Sequence, residues 1–145
     1  IAHELFLKDL YLNLSIFNAS KKCLDFKKHK TGCYYMLALT YSDINYSDVF
    51  DACVSLNQSG CLIGVGAFVD YSVSYSNLTK SLELCDFLAK DTNQLNYCYR
   101  GIITSSIYFY NNFSRAYSVC SHNKKVEKMC ISSFENVYNT TWMKA

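Results

Sequence analysis

The sequence predicts an all-α domain assembled from repeated helical hairpins. Three stretches share the pattern Asn-x-Ser/Thr, then five residues, then a cysteine, and they span 45–53, 77–85 and 112–120. Each stretch is preceded by a further cysteine, so the repeated unit begins and ends at a thiol. An internal repeat indicates that similar supersecondary units stack along the chain. Proline is absent from all 145 residues, which favours helices throughout.

The first half of each repeat is predicted to form a helix, over 34–41, 62–71 and 99–110. Gly64 and Gly101 occupy the same position in the second and third repeats. A glycine inside a helix costs about 1 kcal/mol relative to alanine. Two glycines at one repeat position therefore indicate that neighbouring helices approach each other closely there.

The second half of each repeat has apolar residues at helical spacing from its closing cysteine. They lie seven and three residues before that cysteine and are Tyr46, Phe50, Leu78, Leu82, Phe113 and Tyr117. This spacing places them on one face of a helix, together with the cysteine. The two helices of each hairpin are expected to turn near the sequon, with a polar residue capping the second helix. The expected caps are Asp43, Ser76 and Asn111.

The two ends of the chain are expected to close the stack. Residues 1–22 carry apolar side chains at helical spacing and are predicted to form a capping helix, whereas 130–145 are predicted to be a partial last repeat. The prediction is therefore a single domain over 1–145, with helical hairpins at 33–53, 61–85 and 98–120.

The eight cysteines indicate disulfides, because their number is even and no Cys-x-x-Cys spacing typical of zinc sites is present. Two pairings fit the repeats. Joining neighbours would staple the end of one repeat to the start of the next, through Cys23–Cys33, Cys53–Cys61, Cys85–Cys98 and Cys120–Cys130. Joining cysteines within a repeat would instead connect 33–53, 61–85 and 98–120. The pairing of neighbours is the prediction, and the pairing within repeats is its strongest rival, because eight cysteines allow 105 connectivities.

The chain contains seven Asn-x-Ser/Thr sequons, at Asn13, Asn18, Asn45, Asn57, Asn77, Asn112 and Asn139. Its Asn, Ser and Thr content would give roughly two by chance. Glycans on such sites and disulfides both form outside the cytosol, so we expect an extracellular or cell-surface protein with covalent N-glycans. Ile1 in place of Met fits a mature product of signal-peptide removal, and no uncharged run is apolar enough for a transmembrane segment.

The segment 52–68 (ACVSLNQSGCLIGVGAF) resembles the junction between repeats in Sel1-like proteins, in particular the cysteine-rich, Helicobacter-type tetratricopeptide-like repeat proteins. Cys53 and Cys61 have the family's spacing, and Gly64 falls at its small-residue position. Leu37, Ala38 and Tyr41 are similar to its Leu-Gly/Ala-x-x-Tyr motif. The resemblance covers about 32–130 and implies a short TPR/Sel1-like solenoid of stacked hairpins.

Charge is distributed unevenly between the two expected ends of the hairpins. The cysteine junctions are basic and hold Lys21, Lys22, Lys27, Lys28, His29, Lys30, Lys90, Lys124, Lys125 and Lys128. The sequon turns are acidic, with Asp43, Asp48, Asp51 and Asp70 nearby. A basic edge can meet an acidic glycan, a polyanion or the acidic edge of another copy. A net charge of only +2 and an extracellular location argue against nucleic acid as a partner.

The sequence offers little for catalysis. His3, His29 and His122 are far apart, and none has a nucleophile beside it in the sequence. Disulfide-bonded cysteines supply no thiolate, and no Gly-rich phosphate loop is present. We therefore expect no enzyme activity, no cofactor and no metal site.

The 13 tyrosines exceed what a small core requires, above all in the run Tyr71, Tyr75, Tyr97, Tyr99, Tyr108 and Tyr110. Tyrosine joins a large apolar ring to a polar tip and is enriched at interfaces. The first hypothesis is therefore a structural or adhesive module that binds a protein partner, including its own copies in an extracellular coat or filament. The second is a recognition module that binds a peptide or glycan on its concave face. The third is an extracellular hydrolase.

Overall fold

A computed structural model describes residues 4–75 and 77–140 of the chain, with side chains over 6–75 and 77–135. Every regular element in these residues is helical, as the sequence predicts. The α-helices are α1 (Glu4–Tyr11), α2 (Ile16–Ala19), α3 (Lys30–Leu56), α4 (Ser59–Phe68), α5 (Leu78–Leu88), α6 (Thr92–Tyr108), α7 (Phe113–Ser118) and α8 (Glu127–Thr140). Other segments are 3₁₀-helical at Ser20–His29, Val119–Ser121 and Lys124–Val126, and π-helical at Val69–Val73.

The helices change direction at the three repeated sequons, where the sequence predicts the turns. α3 is interrupted at Asn45, whose extended backbone (φ −158°, ψ 97°) separates two helical halves. The π-helical turn that extends α4 ends shortly before Asn77, and α6 ends shortly before Asn112. The predicted first helices, over 34–41, 62–71 and 99–110, thus correspond to the first half of α3, to α4 with its π-helical extension, and to α6.

The N-terminal segment differs from the single capping helix predicted over 1–22. Asn13 adopts a left-handed conformation (φ 60°) that ends α1, and the Ser15 side chain accepts a hydrogen bond from the backbone N–H of Asn18 at 3.2 Å to begin α2. The segment still packs on the domain, because Phe6 is fully buried and the Tyr41 hydroxyl donates to the Leu14 carbonyl at 2.8 Å. Residues 1–3 lie outside the described part, as do 141–145 of the predicted partial repeat.

α4 is the central helix of the domain and packs between α3 and α6. Its residues from Gly60 to Phe68 are all buried. A helix that is apolar on every side is stable only where other elements surround it. The composition of this stretch (GCLIGVGAF) therefore matches its place in the core.

Glycines bring the backbones of α3, α4 and α6 into direct contact. A Cβ atom added to Gly64 would lie 2.5 Å from the carbonyl oxygen of Tyr35 in α3, and one added to Gly101 would lie 2.1 Å from that of Ile63 in α4. One added to Gly66 would lie 2.1 Å from the Cys98 carbonyl oxygen. No side chain fits at these distances, so the close approach predicted from Gly64 and Gly101 is confirmed.

A buried ion pair joins the π-helical turn after α4 to α7. Asp70, which has no solvent exposure, accepts hydrogen bonds from both terminal nitrogens of Arg115 at 2.6 and 2.7 Å and from the Ser81 hydroxyl at 2.6 Å. Arg115 also donates to the Ser106 hydroxyl at 2.6 Å and lies over the Tyr110 ring. Asp70, which the sequence groups with the acidic residues near the sequon turns, is therefore neutralised inside the fold by Arg115 from α7.

Four disulfides connect neighbouring cysteines along the chain: Cys23–Cys33, Cys53–Cys61, Cys85–Cys98 and Cys120–Cys130. Their Cα atoms are 5.2 to 5.8 Å apart, and all eight cysteines are buried. Each bond closes the connection between two helical elements, whereas the alternative pairing within repeats does not occur.

Among the described helices, none is both long enough and apolar enough to cross a membrane.

We expect Gly101→Ala to lower the free energy of unfolding by about 3 kcal/mol, because the new methyl group must push α4 and α6 apart. Gly32→Ala is the matched control, since its Cβ would have no atom within 4 Å. This second change should be neutral or stabilise the protein by up to about 1 kcal/mol through helix propensity. Urea denaturation followed by circular dichroism, with the disulfides intact, measures both. Equal effects of the two substitutions would contradict the close packing of these helices.

Candidate functional site

The asparagines of the three repeated sequons are the N-caps of the second helices. The Asn45 side-chain oxygen accepts from the backbone N–H of Ser47 and Asp48 at 3.1 and 3.2 Å. The same atom of Asn77 accepts from Lys80 at 3.1 Å, and that of Asn112 accepts from Arg115 at 2.9 Å. This leaves the side-chain nitrogen, which is the atom that carries a glycan, outside the capping bond.

The caps predicted from the sequence are therefore one or two residues too early. Asp43 and Asn111 precede the caps, and Ser76 lies outside the described residues. The strong preference of asparagine for the N-cap position is a signal that could have identified the correct residues.

The remaining sequons occupy other places on the helices. Asn13 and Asn57 are left-handed residues at helix ends, and Asn18 lies in α2. Asn139 lies in α8, where side chains are not described. The six sequon asparagines with described side chains are all exposed, so each is accessible on the folded protein.

The cysteine junctions are not uniformly basic. Nine of the ten predicted basic residues are exposed, and Lys22 forms an ion pair with Asp9 at 2.7 Å. Lys90 and Lys125 line one cavity together with Asp86 and Asp91. These carboxylates offset the lysine charge at the junctions after α5 and α7, which weakens the expectation of a polyanion-binding edge.

Of the two histidines in the described part of the chain, His122 contacts a carboxylate. His29 is exposed, His3 lies outside the described residues, and His122 Nε2 is 3.0 Å from Asp86 Oδ2. The other oxygen of Asp86 accepts a hydrogen bond from the Tyr99 hydroxyl. Burial and this bond raise the pKa of Tyr99, so its hydroxyl stays protonated. The cluster ties α5 to α6 and to the last junction.

All eight cysteines are in disulfides, and no group of His, Cys, Asp or Glu within the described residues could hold a metal ion.

The structure brings aromatic side chains from α3, the end of α4 and the end of α6 together on one surface. We name this surface the aromatic face and define it by Tyr35, Phe68, Tyr71, Tyr108 and Phe109. The ring centroids of Tyr71 and Phe109 are 4.4 Å apart in a stacked arrangement, and those of Phe68 and Tyr71 are 6.0 Å apart, edge to face. Such pairs hold each other in a fixed orientation.

The aromatic face is separate from the main core. Leu39, Ala67 and Phe68 form its buried floor, against which Tyr35 and Tyr71 pack. Tyr108 and Phe109 are 47% and 54% exposed, so large apolar rings are presented to solvent.

A shallow cavity of about 230 Å³ adjoins this face. It is lined in part by Thr31, Tyr35, Arg100, Thr104 and Tyr108. Arg100 forms no ion pair with any residue that the structure describes. Its guanidinium, flanked by tyrosines and threonines, is suited to a carboxylate from outside the chain.

Of the six tyrosines that the sequence singles out, only Tyr71 and Tyr108 belong to the aromatic face. Tyr99 is buried in the core, and Tyr110 packs against Arg115. Sequence reasoning missed Tyr35, Phe68 and Phe109 as site residues, because they share no position within the repeats.

No protein-family model matches the chain, and neither a curated protein nor a solved structure shows significant similarity to it. The resemblance to Sel1-like repeats therefore stays a prediction.

We expect Asn77→Ala to destabilise unglycosylated protein by about 1 kcal/mol, because the first turn of α5 loses its cap. Asn77→Asp should change stability little, because aspartate caps equally well and also complements the helix dipole. Both substitutions remove the sequon, so a difference in stability between the two variants does not come from glycosylation. Urea denaturation of protein from cells that lack N-glycosylation measures the difference, and equal stability of the two variants would contradict the capping role.

We expect the free energy of unfolding to fall as the pH rises above about 10, the ordinary pKa of tyrosine. Burial, followed by the nearby Tyr71 and Tyr108, raises the pKa of Tyr35, so its hydroxyl ionises more readily in the unfolded chain. The stabilisation that the protonated Tyr35 hydroxyl gives below about pH 10 is then lost at higher pH. Tyr35→Phe should make the decline shallower, whereas Tyr11→Phe, at an exposed tyrosine, should not. Urea titrations between pH 8 and 11 test this, and identical slopes would contradict the burial of the Tyr35 hydroxyl.

Proposed function

We propose that this chain is a secreted or cell-surface, N-glycosylated interaction module that binds a protein partner on its aromatic face. The observation that carries the proposal is the exposure of Tyr108 and Phe109 beside the stacked Tyr71 ring. Contiguous apolar side chains at a protein surface are typical of binding sites, and tyrosine is enriched there. The proposal requires no catalytic group.

The proposal includes a short solenoid of helical hairpins. Neighbouring junctions are adjacent in space, which supports this arrangement. The start of α4 at Gly60 approaches Thr31 in α3, and Gln58 lines a cavity with Asn93 at the start of α6. A second cavity is lined by Thr92, from the third cysteine junction, and by Asn123, from the fourth.

An extracellular location is supported by the four buried disulfides, which persist in an oxidising compartment. The exposed sequons support it further, because the folded chain has room for a glycan at each of the six with described side chains.

Glycans would screen part of another apolar surface of the molecule. Exposed apolar residues also lie in the N-terminal segment, at Leu7, Tyr11, Leu12, Leu14 and Phe17. Glycans on Asn13 and Asn18 would screen that segment. None of the five residues of the aromatic face belongs to a sequon, and the sequon asparagine that follows Phe109 most closely, Asn112, is three residues away in the sequence.

The partner is expected to present apolar side chains next to a carboxylate, which would pair with Arg100. A second copy of the chain offers this chemistry, because Asp48 and Asp51 are exposed on α3. Self-assembly into a coat or filament is therefore part of the proposal.

The alternative is recognition of a peptide or glycan on the same face. Flat rings such as Tyr71 and Phe109 can stack on sugars, and Arg100 can bind an acidic sugar. The hydrolase hypothesis gains no support from the described residues.

Light scattering on a concentration series tests self-association. We expect Tyr108→Ser with Phe109→Ser to weaken it at least tenfold, because exposed aromatic anchors dominate interface energies. Phe87→Ser with Tyr11→Ser is the matched control, since both residues are more exposed and lie on other helices.

A chain that stays monomeric at high concentration would contradict self-assembly, and equal effects of the two double variants would contradict the aromatic face as the contact surface. If the chain is monomeric, a glycan array and a peptide array, each read with both double variants, test the alternative.

A further inference from the structure

A cavity lies between the second and third cysteine junctions. Its volume is about 460 Å³, which is within the range of small-ligand sites. The lining residues are Cys53, Val54, Asn57, Gln58, Ser59, Leu62, Asp91, Asn93, Gln94 and Tyr97. One wall thus comes from the loop between α3 and α4, and the other from the first turns of α6.

Asn57 belongs both to this cavity and to a sequon, Asn57-Gln58-Ser59. Its left-handed backbone (φ 54°) ends α3, and its N–H is bonded to the carbonyls of Cys53 and Val54. The side chain is exposed and forms no hydrogen bond with any residue that the structure describes. A sugar attached to its nitrogen would therefore begin at the edge of the cavity.

The far wall of the cavity is held in place by a reciprocal helix cap. The Asp91 carboxylate accepts from the backbone N–H of Gln94 at 2.8 Å, and the Gln94 side-chain oxygen accepts from the backbone N–H of Lys90 at 2.8 Å. The Gln94 amide nitrogen remains as a donor. The wall is therefore preorganised before any ligand binds.

The free polar groups of the cavity match an N-acetylated sugar. The side chains of Gln58, Asn93 and Tyr97 have no hydrogen-bond partner among the described residues, and amides and phenols both donate and accept. Val54, Leu62 and the Tyr97 ring supply apolar surface for the C–H face and the acetyl methyl group of such a sugar.

We propose that the first N-acetylhexosamine of a glycan on Asn57 is seated in this cavity and bridges the second and third junctions. This inference rests on the proposed glycosylation of the chain. The seated sugar contacts the loop before α4 and the start of α6 at once, and so adds a link between units that the disulfides do not connect to each other.

The test compares the removal of the sequon at Asn57 with its removal at Asn77. Ser59→Ala and Thr79→Ala each abolish glycosylation without changing the asparagine. In protein from glycosylating cells, Ser59→Ala should lower Tm by about 3 °C relative to wild type, and Thr79→Ala should leave it unchanged. In protein from cells without N-glycosylation, the two variants should have the same Tm.

A second measurement follows glycan release from the folded protein by a peptide N-glycosidase. The Asn57 glycan should be released at least tenfold more slowly than the Asn77 glycan, and Asn93→Ala should reduce this difference. Release of both glycans at the same rate would overturn the inference.

The glycan occupancy of each sequon, measured by mass spectrometry, distinguishes failure of the seated sugar from failure of the proposed function. An empty Asn57 beside glycans on Asn77 and Asn112 overturns the seated sugar but leaves the proposed function intact. Empty sequons throughout, in protein from its natural source, would overturn both.

Discussion

The contact of α4 with α3 and α6, backbone against backbone, is the constraint on which the rest of the structure depends. Gly64, Gly66 and Gly101 allow it, because no side chain fits between the helices at these positions. Packed interiors do not deform continuously, so this spacing fixes where the helix ends lie. The rings of Tyr35 and Tyr108 come close enough to form one surface only because the helices that carry them each touch α4. The aromatic face thus depends on Gly64, Gly66 and Gly101, which do not belong to it.

The cysteine junctions and the turns at the repeated sequons are secured by different chemistry. The junction ends are closed by disulfides, each of which is expected to contribute about 2.5–3 kcal/mol by restricting the unfolded chain. The turn ends are held by asparagine caps and by the pair of Asp70 with Arg115. Removal of either partner of that pair would leave a buried charge uncompensated, at a cost of about 3–5 kcal/mol.

Local features of the fold were predictable from the sequence, whereas long-range ones were not. Helical periodicity and the repeated sequons gave the class of fold and the turns, because both depend on residues close together in the chain. The ion pair of Asp70 and Arg115 joins residues 45 positions apart, and nothing in the sequence near Asp70 indicates that it is buried. The aromatic face combines residues from three helices, and of these only Tyr71 and Tyr108, each ten residues after the opening cysteine of its repeat, share a repeat position. The break after α1 was missed because the apolar spacing continues through Asn13, whose left-handed conformation ends the helix.

Nuclear Overhauser measurements on the oxidised protein test the central claim, the close contact of α4 with α6, most directly. The account predicts a strong cross-peak between an Hα proton of Gly101 and the amide proton of Ala67, together with cross-peaks between Gly66 and Cys98. Absence of these cross-peaks, with the helices otherwise formed, would mean that side chains separate α4 from α6. The aromatic face would then not exist as described.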